Sequence, residues 1–570
     1  MSTVADLRRR VEVARGMRPA TLALRGGRVL NVFTGDITPA DVAICDGFIA
    51  GVGEYRGERE IDLGGAIVLP GFIDGHLHIE STMLSPRHFM RAAAARGATT
   101  VLADPHEIAN VAGLTGVRYM IAASRGGPVD VRVMAPGCVP ASHLESSGAA
   151  FGPDDVETML RWPDVHGLAE MMNVPGVLAG DESILRMLTA AEGRPVDGHA
   201  PALSGADLQA YISTGPRTEH EATTLAEARE KLAAGTWVLI REGSAARNLA
   251  DLAPLLREEA SRRCLLVTDD RNPVDLLELG YLDLVLRRAV AEGVDPLRAV
   301  RALTLNAAEC FRLHDRGAIA PGLRADLAVV EDLEEFRVTM TLRGGTPVDE
   351  IEDPPEPEID AVRGSMHVSD LTERSLRVGA SGHSARVRVI EVQPGQIVTG
   401  AGEAELPVRD GAIQADPGRD IVKLAVIERH HGTGNLGLGF VRGLGLREGA
   451  LASTVAHDSH NLVVAGATDA AMLRAARAVI DAGGGQGVAT DSEVQALLPL
   501  PVAGLMSDRP PAEVAREMRA LHTAARSIGS ALDDPLMALS FLALPVIPKL
   551  KLTDRGLVDV ERFELVELNA

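Results

Sequence analysis

The 570-residue chain contains only four cysteines, Cys45, Cys138, Cys264 and Cys310, and no two of them form a Cys-x-x-Cys pair. That scarcity excludes a disulfide-stapled secreted scaffold and any zinc site built on thiolates, so a bound metal must use other ligands. Positive charge is also short: Lys plus Arg is 57 against 79 for Asp plus Glu, a net charge of −22. Such a surface repels phosphate backbones and anionic lipid, which argues against nucleic acid as a partner. No apolar run approaches the roughly 18 residues of a membrane-spanning helix, and MSTVADLRRRVEVARG at the N-terminus lacks an apolar signal core. These absences predict a cytoplasmic protein with no membrane partner. No internal repeat is present, and Gly483-Gly484-Gly485-Gln486-Gly487 has no lysine at Walker spacing, so it reads as a cap and turn rather than a phosphate cradle.

What is present is ordinary for a folded chain: 46% hydrophobic and 24% charged residues. At roughly 100 to 200 residues per domain the length predicts three or four folding units. Residues 21 to 69 read as short strands broken by Gly and Asp. From Pro70 to about 314, apolar strand-like runs that end in polar residues alternate with Ala, Leu and Arg-rich helical stretches. Strand ends fall near His76, Asp104, Cys138, Glu170, His199, His220, Arg241 and Asp269, separated by 21 to 34 residues. Eight such units predict an α/β fold with a (β/α)8 TIM barrel over 70–314. Residues 315–350 return to Gly-punctuated strands and would complete a discontinuous, small β-sandwich-like domain with 1–69. The prolines and acids of IEDPPEPEID place a linker at 351–365, and 366–570 reads as an additional C-terminal α/β domain.

The segment Pro70-Gly-Phe-Ile-Asp-Gly-His76-Leu-His78 closes an apolar strand with histidines at i and i+2. Alternation points both imidazoles to one face, and at the C-terminal end of a barrel strand that face opens onto the catalytic mouth. Two neutral imidazoles there can bind one divalent metal. Glu170, His199, His220 and Asp269 end four further strands. Glu170 can bridge two cations, His199 and His220 can complete the second, and Asp269 can hold the first while accepting a proton from bound water. Singly, each histidine is as readily a structural one, and Asp269 a helix N-cap before Pro273; together on one rim they form a site.

These residues resemble the amidohydrolase superfamily, whose signature is PGFIDGHLH at 70–78 together with TLNAAECFRLHDRGAIAPGLRADLAVV near 303–330. Within it the sequence is similar to the adenine deaminase family, through HLHIESTM (76–83), DPHEIANVAG (104–113), GLAEMMNVPGV (167–177), DGHAP (197–201), EHEAT (219–223) and TDDRNP (268–273). STVAHDSHNLVVAG at 453–466 looks like the extra domain of that family. The resemblance implies hydrolytic deamination of adenine to hypoxanthine and ammonia, in purine salvage. It also implies two divalent metal ions, manganese or iron, with zinc as an alternative. It maps His76 and His78 to the strand-one ligands, Glu170 to the bridging position, His199 and His220 to the strand-five and strand-six ligands, and Asp269 to the strand-eight carboxylate. Many relatives carry a carbamylated lysine where Glu170 stands, so dihydroorotase- and hydantoinase-like amide hydrolysis is disfavoured.

Chemistry agrees. Hydroxide from an acidified water attacks C6, N1 gains a proton and the amine leaves, so carboxylates must shuttle protons. Asp269 is the first candidate for taking the water's proton, with Glu170 for N1, and the two roles are interchangeable. Asp104, in Asp104-Pro105-His106-Glu107, reads either as a catalytic group or as the start of a helix. Glu80, Ser81, Arg241 and Glu242 are candidates for contacting the base, with salt bridges the competing account for the last two. The HDSHN run from His457 to Asn461, having no distant partner in the sequence, reads as a loop over the site, not a metal site. Tyr281 stands where some relatives have histidine and is not assigned as a ligand. Two alternatives stay open: an amidohydrolase acting on another purine or a cyclic amide, and a catalytically silent purine- or metal-binding relative. A homo-oligomer, a dimer or larger, is expected from the Ala and Leu-rich C-terminal region.

Overall fold

The computed structural model describes residues 3–357, 360–394 and 396–570. Eight short parallel strands organise it: β1 (Phe72–Leu77), β2 (Ala98–Ala103), β3 (Asp130–Ala135), β4 (Val165–Met171), β5 (Val196–Gly198), β6 (Thr218–Glu219), β7 (Trp237–Arg241) and β8 (Cys264–Val267). The first five pair in chain order, and so do the last three. Hydrogen bonds join the arcs at both seams, among them Arg217 N–H donating to Val196 O at 3.2 Å and Asp269 N–H donating to His76 O at 3.1 Å. The result is the closed α/β barrel read from the sequence, with its predicted strand ends lying at one rim. β1, β2, β7 and β8 are buried along their whole length, which explains why they read as continuous apolar runs rather than alternating ones. Ile73, Leu102, Met134, Leu239, Leu265 and Phe311 fill the interior.

A buried carboxyl group sets the register where the barrel closes. Asp74 of β1 accepts from Thr268 Oγ1 at 2.6 Å and from Tyr281 OH at 2.7 Å, and from the backbone N–H groups of His76 and Thr268, each at 3.3 Å. Burial pushes its pKa up, while these four donors work in the opposite direction. Tyr281 is thus spent on Asp74 and packs edge-to-face on Phe89 at 5.8 Å. Asp74 locks β1 to the end of β8, and so places His76, His78 and Asp269 side by side. Asp269 itself adopts a left-handed backbone with φ of 58°, uncommon for a residue with a side chain and characteristic of strained functional positions.

Strand Ile67–Pro70 runs directly into β1 and pairs antiparallel with Leu327–Val330, Val68 opposite Val329. Both belong to a six-stranded sheet with Arg28–Leu30, Ile37–Pro39, Val338–Arg343 and Thr346–Pro347. A four-stranded sheet of segments between 20 and 62 packs on it through Leu24, Val42, Ile49, Val68, Val329 and Leu342. After residue 365 comes a mainly antiparallel nine-stranded sheet, covered on one side by the helix Asp469–Asp481. Its core is not separate: Met83, Leu84 and Phe89 of the barrel share one buried cluster with Val455, Leu500 and Met506. Between the two, Asp353 and the carbonyls of Val348 and Ile351 are held by Arg91 at 2.6 to 2.7 Å, so the acidic connection is anchored; residues 358 and 359 of it lie outside the described residues.

Tyr281→Phe keeps the ring contact and removes one donor from a buried carboxyl group. It should lower stability by about 1–3 kcal/mol, read as a lower urea midpoint.

Candidate active site

Geometry at the barrel rim follows from the strand ends. His76 and His78 project inward from β1, each with Nδ1 engaged: His76 with Asp197 Oδ2 at 2.8 Å, His78 with the Asp104 carbonyl at 3.0 Å. An acceptor on Nδ1 fixes the tautomer and leaves the Nε2 lone pair directed into the site. His76 Nε2 lies 3.6 Å and His78 Nε2 3.3 Å from the same Asp269 oxygen. Glu170, at the end of β4, stands between two groups of imidazoles. Its Oε1 lies 3.5 Å from His78 Nε2 and 3.6 Å from His106 Nδ1, and its Oε2 2.7 Å from His199 Nδ1 and 3.3 Å from His220 Nε2. The His76 and His220 rings stack at 4.0 Å. All six residues named from the sequence as ligands therefore converge on one point.

The electrostatics of the cluster are those of protons standing among cation ligands. Burial opposes charge on His78, yet hydrogen bonding to Asp269 above all raises its pKa to about 10. His199, likewise opposed by burial, is raised to about 9 by Glu221 and Glu170. His76 is held well above the ordinary range by Asp197 in spite of burial. Burial would push Glu170 and Asp269 up, but imidazole hydrogen bonds hold both well below the usual carboxylate range. His76 Nε2 and His220 Nδ1 are buried with no hydrogen-bond partner. Donor atoms of His76, His78 and Asp269, of His76, Glu170 and His220, and of His78, Asp104, His106 and Glu170 each fall within 4.8 Å of one another. Imidazole nitrogens, carboxylates and an unpartnered buried Nε2 are the donor set that divalent metals require.

The remaining candidates divide. Asp104 starts a helix and holds an imidazole: Oδ1 accepts from the His106 N–H at 3.1 Å at the start of the helix His106–Ser124, and Oδ2 holds His106 Nδ1 at 3.0 Å. Arg241 reaches the cavity, clamped between Glu221 Oε1 at 2.5 Å and Asp269 Oδ2 at 3.0 Å. Glu242 does not line the cavity; it points away and pairs with Arg288. Glu80 and Ser81 lie behind the rim, Glu80 accepting from the Ile108 N–H at 3.2 Å and Ser81 Oγ bonding Glu107 at 3.3 Å and Asp270. Burial, then the nearby Glu107, raises Glu80 to about 8.

Sequence reasoning missed Asp197 and Glu221 as supports for the histidines. Each stands within two positions of a named histidine, in DGH and HEA, which was the available signal. It also found no distant partner for the HDSHN run, whereas His457 Nδ1 lies 3.1 Å from Glu107 Oε1 and His457 and Asp458 line the cavity. His460 Nδ1 accepts from the Ala456 N–H at 3.1 Å, so its proton sits on Nε2, a donor's arrangement and not a metal ligand's.

Comparison with known proteins places these features in a family. Residues 67–348 match the model described as amidohydrolase family, and residues 396–564 the model described as adenine deaminase C-terminal domain. The adenine deaminase of Desulfatibacillum aliphaticivorans is 47% identical over 568 residues, covering 98% of this chain and 99% of its own. Adenine deaminase 2 of Carboxydothermus hydrogenoformans is 48% identical over 574 residues, with 100% of each chain covered. The adenine deaminase of Cereibacter sphaeroides is 48% identical over 558 residues, with 98% of each covered.

The raised histidines predict the pH behaviour of metal-stripped protein. A group with a raised folded-state pKa stabilises fully below its ordinary value near 6.5 and loses that contribution as pH rises through the folded values of about 9 for His199 and 10 for His78. With chelator present, the urea midpoint should fall between pH 6.5 and 10. Metal-loaded protein, whose ligands have already given up their protons, should show a flatter profile.

Proposed function

The chain belongs to the amidohydrolase family and, within it, to the adenine deaminases; from that premise we propose how its residues convert adenine and water to hypoxanthine and ammonia. The observation that carries the assignment of roles is Glu170, with one oxygen toward His78 and His106 and the other toward His199 and His220.

Family membership implies a divalent metal. Two ions fit the donor set: one held by His76, His78, Asp269 and Glu170, the other by Glu170, His199 and His220. What the ions supply when bound is a water acidified to a pKa near 7, hence a hydroxide nucleophile at neutral pH. Manganese or iron(II) is the proposed occupant, with zinc as the alternative, and cellular supply would decide among them, because these ligands accept all three. Asp269 is the base that takes the water's proton and returns it to the departing amine. Arg241 on its other oxygen keeps it anionic and aimed. Glu170 has both oxygens engaged by imidazoles, so it would serve both ions as a ligand and proton delivery to N1 would fall elsewhere. His106 lines the cavity with Nδ1 on Asp104 Oδ2 at 3.0 Å and, although buried, has its pKa held well above the ordinary range, chiefly by Asp104. Asp104 thereby acts as a positioning residue.

No helix among the described residues is long and apolar enough to cross a membrane, and all four cysteines are free. Free thiols suit a reducing compartment, which supports a cytoplasmic location.

Ammonia release from adenine should be abolished by chelation and restored by manganese or iron(II). Glu170→Gln and Asp269→Asn should each lower kcat by about 10²–10⁴-fold, the range of proton-transfer and ligand groups. Full activity of either variant at wild-type metal content would remove its residue from the assigned role.

A further inference from the structure

The active-site cavity has two unlike sides. The barrel supplies an almost wholly polar floor of histidines and carboxylates, whereas the wall facing it comes from the C-terminal sheet domain and is apolar: Ile397, Phe541, Leu544, Val546 and Ile547. Among the described residues, only two polar side chains interrupt that wall, His457 and Asp458. The His457 ring lies nearly parallel to Phe541, 4.9 Å between centroids at 10°, and is anchored to the barrel by Glu107 at 3.1 Å. Asp458 is 5% exposed, and its Oδ2 is buried without a hydrogen-bond partner among the described residues.

We propose that this wall is the purine-recognition surface, with the apolar side chains covering the ring face and Asp458 Oδ2 accepting the N9–H of free adenine. The inference rests on the adenine reading above and adds to it which part of the chain selects the base. Adenine has a flat apolar face and a polar edge, so it needs both kinds of contact at once. With the C6 amine over the polar floor, the opposite edge of the bicycle carries N9. Asp458 lies on the wall side of the metal-ligand cluster, beyond the His106 imidazole, whose Nδ1 is 3.6 Å from Glu170 and Nε2 3.8 Å from Asp458. N9 is where a nucleoside carries its sugar, so a buried acceptor facing it selects the free base.

The wall is built before substrate arrives. Lys551, buried without an acidic partner, donates to the carbonyls of Phe541 at 2.8 Å and Ile397 at 3.1 Å and so ties two wall segments together. The Asp458 loop is held by Asn461 Nδ2 donating to Ser146 O at 2.8 Å and by His430 Nε2 to Ser459 O at 2.8 Å. A rigid acceptor rejects a ligand that leaves it unpaired, and sites built to bond an N–H discriminate strongly against analogues lacking it.

The test compares adenine with 9-methyladenine in the full-length, metal-loaded enzyme. Wild type should prefer adenine by at least about 100-fold in kcat/KM. Asp458→Ala should raise the adenine KM by about 10–100-fold, leave kcat within several-fold and metal content unchanged, and collapse the preference; Asp458→Asn, which keeps an acceptor oxygen, should recover part of the affinity. An adenine KM unchanged in Asp458→Ala, or equal turnover of 9-methyladenine by wild type, overturns the proposal. If Asp458→Ala does not fold, an Asp458→Asn enzyme with wild-type KM and undiminished preference overturns it as well. Absence of adenine turnover by the wild type is a separate result, and it defeats the functional reading itself.

Discussion

Glu170 is the residue on which the rest of the site depends. A single carboxylate with imidazoles against both oxygens can exist at full burial only because neighbouring positive charge holds it ionised. Every surrounding feature serves that arrangement. Asp197 turns His76, the Asp104 carbonyl turns His78, and Arg241 braces Asp269 while pairing with Glu221. Behind them, Asp74 holds β1 against the end of β8, so that ligands nearly two hundred residues apart in the chain share one rim.

The second constraint is closure. A (β/α)8 barrel leaves its catalytic mouth open to water, which would weaken each interaction that depends on a low dielectric. Here the C-terminal sheet domain covers the mouth. It shares one buried core with the barrel and exchanges backbone hydrogen bonds with it, Ser507 N–H to Met83 O at 2.8 Å and Ser85 N–H to Ser507 O at 3.0 Å. This domain contributes its own side chains, among them Phe541, His457 and Asp458, to the cavity.

Much of the centre was legible in one dimension because its pieces are local. Alternation along a strand is enough to put His76 and His78 on one face, and a polar residue ending an apolar strand marks the catalytic rim of a barrel. The partners that orient those ligands were harder to read. Glu221 and Asp197 adjoin named histidines, but an acid next to a histidine is common, and only the inward turn of the strand ends distinguishes a brace from a solvated charge. Glu80, Ser81 and Glu242 show the converse: their proximity to ligands suggested contact with the base, and the chain turns them into structural bonds behind the rim.

Sequence alone determined the barrel, most of its strand ends, the candidate ligands and the family, because periodicity and short motifs are properties of neighbours along the chain. Tertiary structure alone decided that Ile397 and Phe541 join the HDSHN loop at the cavity, that Glu107 meets His457 across some 350 positions, and that Arg241 faces Asp269 while its neighbour Glu242 faces Arg288. Those facts depend on which surfaces pack to bury apolar area, and long-range packing leaves no regular spacing in the sequence from which it could be read.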